Sequence, residues 1–339
     1  MGRKVATAAL VIVALVASLA VVELGLRAMG RVRNVGPSFT EFDPVYGKWL
    51  KRDATIRRTT PEFTMTLVTN AQGFRGPDLP EKVSRSIVFT GDSFTMGYGV
   101  DQGQDFPSLV RKALMEIDGD HTPTVINTGV GNTGNGRTLR WLQQDAERYH
   151  PALVVIQLTG NDFEDNLEEG MLSLGEDRQL QQLSPHDPGT ARSVQAVIDD
   201  VPFLAELHLV GFAREVVQTL RQFRDIADNR NIPNSNKSAS SEDPDKLTYA
   251  AVRAILSLCH ERGWPALGMA VDVEEPRLTR LRALFDEDRT DLIVIPLKTA
   301  RPDLYYVQDG HWNEQGQAYA AGQVLDWLAG HPAILPPRP

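Results

Sequence analysis

The sequence predicts an α/β fold: a doubly wound domain on a five-stranded parallel sheet. Three observations predict it. From Val83 onward, short apolar runs alternate with segments of helical periodicity, the strand–turn–helix order that parallel sheets require. The runs are apolar almost throughout, as in strands covered on both faces. Several end directly in Gly, Asp or Asn, which places turns at the carboxyl edge where open α/β sheets bind ligands.

In chain order, Arg3 and Lys4 precede an uncharged apolar run from Val5 to Val22. As a helix it rises ~27 Å, close to the ~30 Å hydrocarbon core of a bilayer. Two readings are open for residues 1–23: an uncleaved membrane anchor, which the length of the run favours, or a signal peptide cut after a small residue such as Ala20. Basic residues at the start favour an amino end inside, with the rest of the chain extracytoplasmic, in the periplasm or at the cell surface. A cleaved segment would make the protein secreted. Residues 24–80 form a connector and a β-rich lead-in. Its strand-like pieces are Tyr46–Leu50 and Phe63–Val68, and the stretch Asn70–Gly76 reads as a turn.

Residues 81–339 form the main domain. Its strands are Ile87–Thr90, Thr124–Asn127, Ala152–Leu158, Ala266–Val271 and Leu292–Pro296, with helices around Phe106–Glu116, Thr138–Tyr149 and Glu314–Ala329. An insertion at about 165–246 interrupts the pattern. Residues 170–200 are polar and loop-like, 201–226 carry Leu204, Leu207, Phe212, Val216, Leu220 and Phe223 at helical spacing, and Asn229–Asp245 reads as a mobile loop. The inserted helix is expected either to shape the substrate site or to pack on the main domain.

With 42% hydrophobic and 23% charged residues the chain is composed as an ordinary globular protein. Its formal charge of −9, from 35 basic and 44 acidic residues, argues against a nucleic-acid surface. The single cysteine, Cys259, excludes an intrachain disulfide and falls in a predicted helix as a small buried hydrophobe. No His-x-x-x-His or cysteine pair speaks for a metal, and the acidic group Asp162, Glu164 and Asp165 reads as a solvated loop. The glycines at 129, 131 and 134 miss the dinucleotide spacing, and no cofactor is expected.

The first strand ends in Gly91-Asp92-Ser93. Asp92 or Ser93 suits a helix N-cap, and Ser93 equally suits a nucleophile at the sheet edge. A serine hydroxyl attacks only if a base takes its proton and donors hold the resulting oxyanion. Of the seven histidines, His311 alone lies in a strand-to-helix loop with an acid beside it, Asp309-Gly310-His311-Trp312-Asn313. It is either that base, oriented by Asp309, or a surface histidine beside a turn residue. The second strand ends in a glycine-rich loop containing Gly129, Gly131 and Gly134, and the third in Gly160-Asn161-Asp162. Both can supply N–H donors, and both could be ordinary turns. Ser, Gly, Asn and Asp–His follow strands of one sheet in succession.

In these residues the chain resembles the SGNH (GDSL-like) hydrolases, in Gly91-Asp92-Ser93, the Gly131 region, Gly160-Asn161-Asp162 and Asp309-Gly310-His311. Asn70–Gly76 and the apolar segment ending in Glu23-Leu24-Gly25-Leu26-Arg27 look like extracytoplasmic, membrane-anchored members. The resemblance covers about residues 80–165 and 264–330 and implies a flavodoxin-like three-layer α/β/α sandwich. It implies Ser93 as nucleophile, His311 as base and Asp309 as its orienting acid. It also implies an oxyanion hole from the N–H groups of Ser93 and Gly131 and the Asn161 side chain. Two departures stand out. The family often places the acid three residues before the histidine, where this chain has Gln308. Asn132 occupies a position where many members carry a glycine and is an alternative donor. The Asp-x-His-Trp spacing looks more like relatives that acetylate or deacetylate exported polysaccharides.

The expected function is a serine esterase working through an acyl-enzyme on Ser93, with a small-molecule or glycan ester as substrate, possible O-acetyl esters among them. An O-acyltransferase acting on a cell-envelope glycan would use the same residues. A non-catalytic envelope protein retaining the fold is the third class.

Overall fold

A computed structural model of the chain describes residues 2–30, 32, 35–187, 189, 196–199, 201–231 and 243–335. It divides into two compact units. The larger comprises Phe39–Thr55, Met65–Arg192 and Ser240–Pro339; the smaller comprises Met1–Ser38, Ile56–Thr64 and Ser193–Ala239.

The lead-in supplies four short strands, β1 (Thr40–Asp43), β2 (Gly47–Leu50), β3 (Thr55–Thr59) and β4 (Thr64–Val68). The sheet of the larger unit is formed by β5 (Ser86–Thr90), β6 (Thr124–Asn127) and β7 (Pro151–Thr159), joined after a small antiparallel pair, β8 (Leu172–Leu174) and β9 (Leu180–Gln182), by β10 (Ala266–Val271) and β11 (Asp291–Val294). Its order is β11-β10-β7-β5-β6, and every pairing is parallel. This is the flavodoxin-like order, whose direction reverses between β5 and β7 and so opens a crevice beyond their carboxyl ends.

Alternation along these strands explains their unbroken apolar character. Ile87, Phe89, Leu153, Val155, Leu267 and Met269 face a core completed by the helices Phe106–Asp118 and Glu314–Gly330, through Phe106, Val110, Ala320 and Val324. Val88, Val154, Ile156 and Leu158, at the intervening positions, are equally buried. On that side lie the helices Asn135–Gln144, Asp162–Glu169 and Pro244–Glu261, with Arg277–Asp288 beside the last. Two helical layers therefore enclose the sheet, as the sequence predicts.

The part of the lead-in that belongs to the larger unit packs there through an aromatic cluster. Phe74 meets Trp49 at 6.1 Å, Trp141 at 5.8 Å and Tyr149 at 5.9 Å between ring centroids, favourable edge-to-face contacts. Cys259 is buried in the helix Pro244–Glu261, where desolvation pushes its thiol up to about 12.

In the smaller unit, the helix Gly2–Met29 is long and apolar enough to cross a membrane, and its large apolar side chains from Val5 to Leu24 are exposed. Its last turns are tied down. Leu26 packs against Val32, Val35 and Leu209, and the Glu23 carboxylate accepts the N–H groups of His208 and Leu209 at 3.1 and 2.9 Å. Those donors open the helix His208–Asn231, so Glu23 caps its positive end.

Three expectations differ from the structure. The acidic group at 162–165 is not a solvated loop but opens a helix, with Asp162 buried. The polar stretch 170–200 contains the β8–β9 pair. The apolar stripe of the inserted helix leaves Phe212, Val216 and Leu220 exposed. The expected loop Asn229–Asp245 lies outside the described residues from 232 to 242, while the preceding helix runs to Asn231 and Pro244 opens the next.

Candidate active site

Ser93 leaves the carboxyl end of β5 through a turn that only glycine can make. Gly91 has φ 151°, a region L side chains rarely adopt, and a Cβ there would run into Gln157. Gln157, on the neighbouring β7, holds this turn. Its Oε1 accepts the Asp92 N–H at 3.0 Å and the Thr95 hydroxyl at 2.8 Å. Asp92 is the cap of the short helix Ser93–Met96, accepting the Phe94 N–H at 2.9 Å. The cap is therefore Asp92, and the Ser93 hydroxyl takes no part in it.

That hydroxyl lies 2.7 Å from His311 Nε2, and His311 Nδ1 lies 2.5 Å from Asp309 Oδ1. The two-residue spacing works because Gly310 sits at φ 88°, folding the chain so that Asp309 reaches back to the ring of His311. The imidazole is held between aromatic rings, 5.1 Å from Phe94 and 4.8 Å from Tyr98 between centroids. Beyond it, Asn313 caps the final helix, accepting the N–H groups of Gln315 and Gly316 at 3.0 and 3.1 Å.

The two further loops converge to different degrees. A Cβ built on Gly131 would stand 3.4 Å from the Ser93 Cβ, so this peptide lies directly against the serine. Asn132 adopts φ 53°, and its carbonyl accepts Lys48 Nζ at 3.2 Å. Asn161 follows β7, the parallel neighbour of β5, and donates one amide hydrogen to Asp165 Oδ2 at 2.6 Å. Its side chain also hydrogen-bonds the Asp92 carboxyl, so the amide is held between two acids. Burial pushes the Asp165 carboxyl up to about 6 against the downward pull of the Asn161 hydrogen bond.

The sequence reading missed the buried polar residues beneath these loops. Arg75, from the lead-in turn, pairs with Asp105 (Nε to Oδ2 3.2 Å) and donates to the carbonyls of Met96, Gly97, Val100 and Asp101 at 2.6–2.9 Å. It thereby fixes the segment that follows the serine and carries Tyr98. Asn127 joins Asp105 at 3.2 Å to the Thr95 carbonyl at 2.8 Å. Gln157 and Thr159 carried a legible signal: two polar residues at alternate positions near the end of an otherwise apolar strand, which must find buried partners.

Residues 87–198 match the family described as GDSL-like Lipase/Acylhydrolase. Among curated proteins, an "Arylesterase" of Vibrio mimicus is 35% identical over 81 residues, 24% of this chain and 40% of that protein. The chain thus matches about two fifths of that relative's length. Among solved structures, the psychrotrophic esterase EstA from Pseudoalteromonas sp. is 16% identical with a TM-score of 0.42, covering 72% of this chain and 98% of its own. The lipase/acylhydrolase from Enterococcus faecalis is 15% identical with a TM-score of 0.39, covering 73% and 96%.

Proposed function

We propose, from the match of residues 87–198 to the GDSL-like lipase/acylhydrolase family, a serine esterase that works through an acyl-enzyme on Ser93. The observation that carries the proposal is the unbroken relay from Ser93 Oγ through His311 to Asp309, at 2.7 and 2.5 Å.

In the first half-reaction Ser93 Oγ attacks the ester carbonyl carbon as its proton passes to His311 Nε2. Asp309 holds the other ring nitrogen protonated and stabilises the imidazolium. The carbonyl oxygen becomes an oxyanion, received by the N–H groups of Ser93 and Gly131 and the side-chain amide of Asn161. Collapse breaks the ester C–O bond, and the imidazolium gives its proton to the departing alkoxide. Water then attacks the acyl carbon, its proton goes to His311, and the acid leaves as Ser93 Oγ is reprotonated. A sugar hydroxyl in place of water would turn the second half into acyl transfer.

The apolar helix Gly2–Met29 supports a membrane-anchored protein, and Arg3 and Lys4 before it support a catalytic unit outside the cytoplasm. The substrate class is an ester of a small molecule or a glycan. Ser93→Ala should reduce turnover of a short-chain nitrophenyl ester to the uncatalysed rate and abolish fluorophosphonate labelling, with an unchanged circular dichroism spectrum. Undiminished turnover would refute the assignment.

A further inference from the structure

Beneath the proposed site, Thr159 Oγ1 lies 3.0 Å from Asp92 Oδ2 and 3.2 Å from Asp162 Oδ1. All three residues are buried, at 0–2% exposure. A hydroxyl carries one hydrogen and can donate to only one of these carboxyl oxygens. The other contact is attractive only if a carboxylic acid donates into the hydroxyl's lone pair. The remaining oxygens are already acceptors. Asp92 Oδ1 takes the Phe94 N–H at 2.9 Å, and Asp162 Oδ2 takes the Thr159 N–H and the Asn135 amide, each at 3.0 Å. A proton must therefore sit between the two carboxyl groups on the Thr159 side.

We infer that Asp92, Thr159 and Asp162 share one acid proton, and that this bridge positions the turn bearing Ser93 against the loop bearing Asn161. Asp92 immediately precedes Ser93 and Asp162 immediately follows Asn161, so the bridge joins the nucleophile to the oxyanion donor from below. The inference rests on the catalytic reading of those two residues. Thr159 and Asp162 are then positioning residues that never touch substrate.

The electrostatics agree with the geometry. Burial and then the charge of Asp92 push the Asp162 carboxyl well above its usual range, with Asp165 adding to the rise; the Thr159 N–H and Asn135 pull it back. Burial also raises Asp92, against the pull of the Phe94 N–H, His311, Thr159 and Asn161. Buried Arg137 interacts with both carboxyls. The acid proton accordingly belongs on Asp162 Oδ1. Its loss at alkaline pH would leave two carboxylates competing for one hydroxyl hydrogen and push the two loops apart.

Asp162→Asn tests this, because its amide can donate into Thr159 Oγ1 while its carbonyl keeps the two N–H donors. It imitates the protonated pair at every pH. The wild type, Asp162→Asn and Thr159→Val should be compared by ester turnover and thermal melting across neutral to alkaline pH. Wild-type kcat is expected to fall at alkaline pH, and Asp162→Asn to lose that fall. Thr159→Val should lower kcat about tenfold or more, as expected when a positioning contact made for the transition state is lost, with KM nearly unchanged. The folded pair keeps a proton that the unfolded carboxyl releases near its ordinary value, so wild-type melting temperature should decline as pH rises and that of Asp162→Asn should decline less. Parallel activity profiles and parallel melting slopes in an active wild type would overturn the inference. Loss of turnover in every protein, with the melting slopes still different, would overturn the esterase reading and leave the shared proton standing.

Discussion

Asn161 is the residue whose surroundings say most about how the proposed site works. Its amide donates to Asp165 at 2.6 Å and also bonds the Asp92 carboxyl, which together fix the plane of the amide. A donor fixed beforehand costs no reorganisation as charge develops on the carbonyl oxygen. Asn161→Ala should therefore lower kcat by about 10²–10³-fold, equivalent to about 2.7–4 kcal/mol, measured with the same nitrophenyl ester. At this scale the sequence was informative about position: Ser93 and Asn161 do follow strand ends, and His311 does lie between the last strand and the last helix. It was uninformative about Asp162. A carboxylate followed by Glu164 and Asp165 looks solvated, and only the fold reveals that Thr159 and Asn135 face it. The spacing of Asp309 and His311 is resolved by Gly310, whose left-handed backbone shortens the reach that a third residue would otherwise supply.

At the scale of elements, the lead-in turn does more than cover the sheet. Arg75 projects from it into the interior, where its guanidinium meets Asp105 and four backbone carbonyls of the segment after Ser93. Removing the cation strands a buried carboxylate. Arg75→Met should cost about 3–5 kcal/mol of unfolding free energy, read from urea denaturation. Pairing it with Asp105→Asn should recover part of that loss, because the stranded charge is gone. The strands and helices themselves were largely legible: Thr124–Asn127 and Ala266–Val271 have the predicted bounds, since short apolar runs closed by turns admit few other readings. The Arg75–Asp105 pair was not legible. Its partners are thirty residues apart in sequence, and a lone arginine after a glycine turn resembles any surface cation. The β8–β9 pair was hidden because it is only three residues long on each side and half polar.

At the scale of the whole molecule, two compact units share one chain, and the chain crosses between them several times rather than once. The apolar helix Gly2–Met29 belongs to the smaller unit, and Glu23 binds its end to the helix His208–Asn231. The full chain should sediment with membranes and resist a carbonate wash. A chain beginning at Glu23 should appear in the soluble fraction with that cap retained. Equal release of both would rule out anchoring by this helix. Cys259 has a consequence for any such preparation. The chain has one sulfhydryl, buried and held protonated far above neutrality, so it offers no thiolate to an oxidant, an alkylating agent or a neighbouring chain. Folding should proceed alike with or without reductant, needing no disulfide catalyst. An electrophile that forms a covalent adduct with the folded protein would thus have an oxygen or nitrogen, and not a sulfur, as its partner.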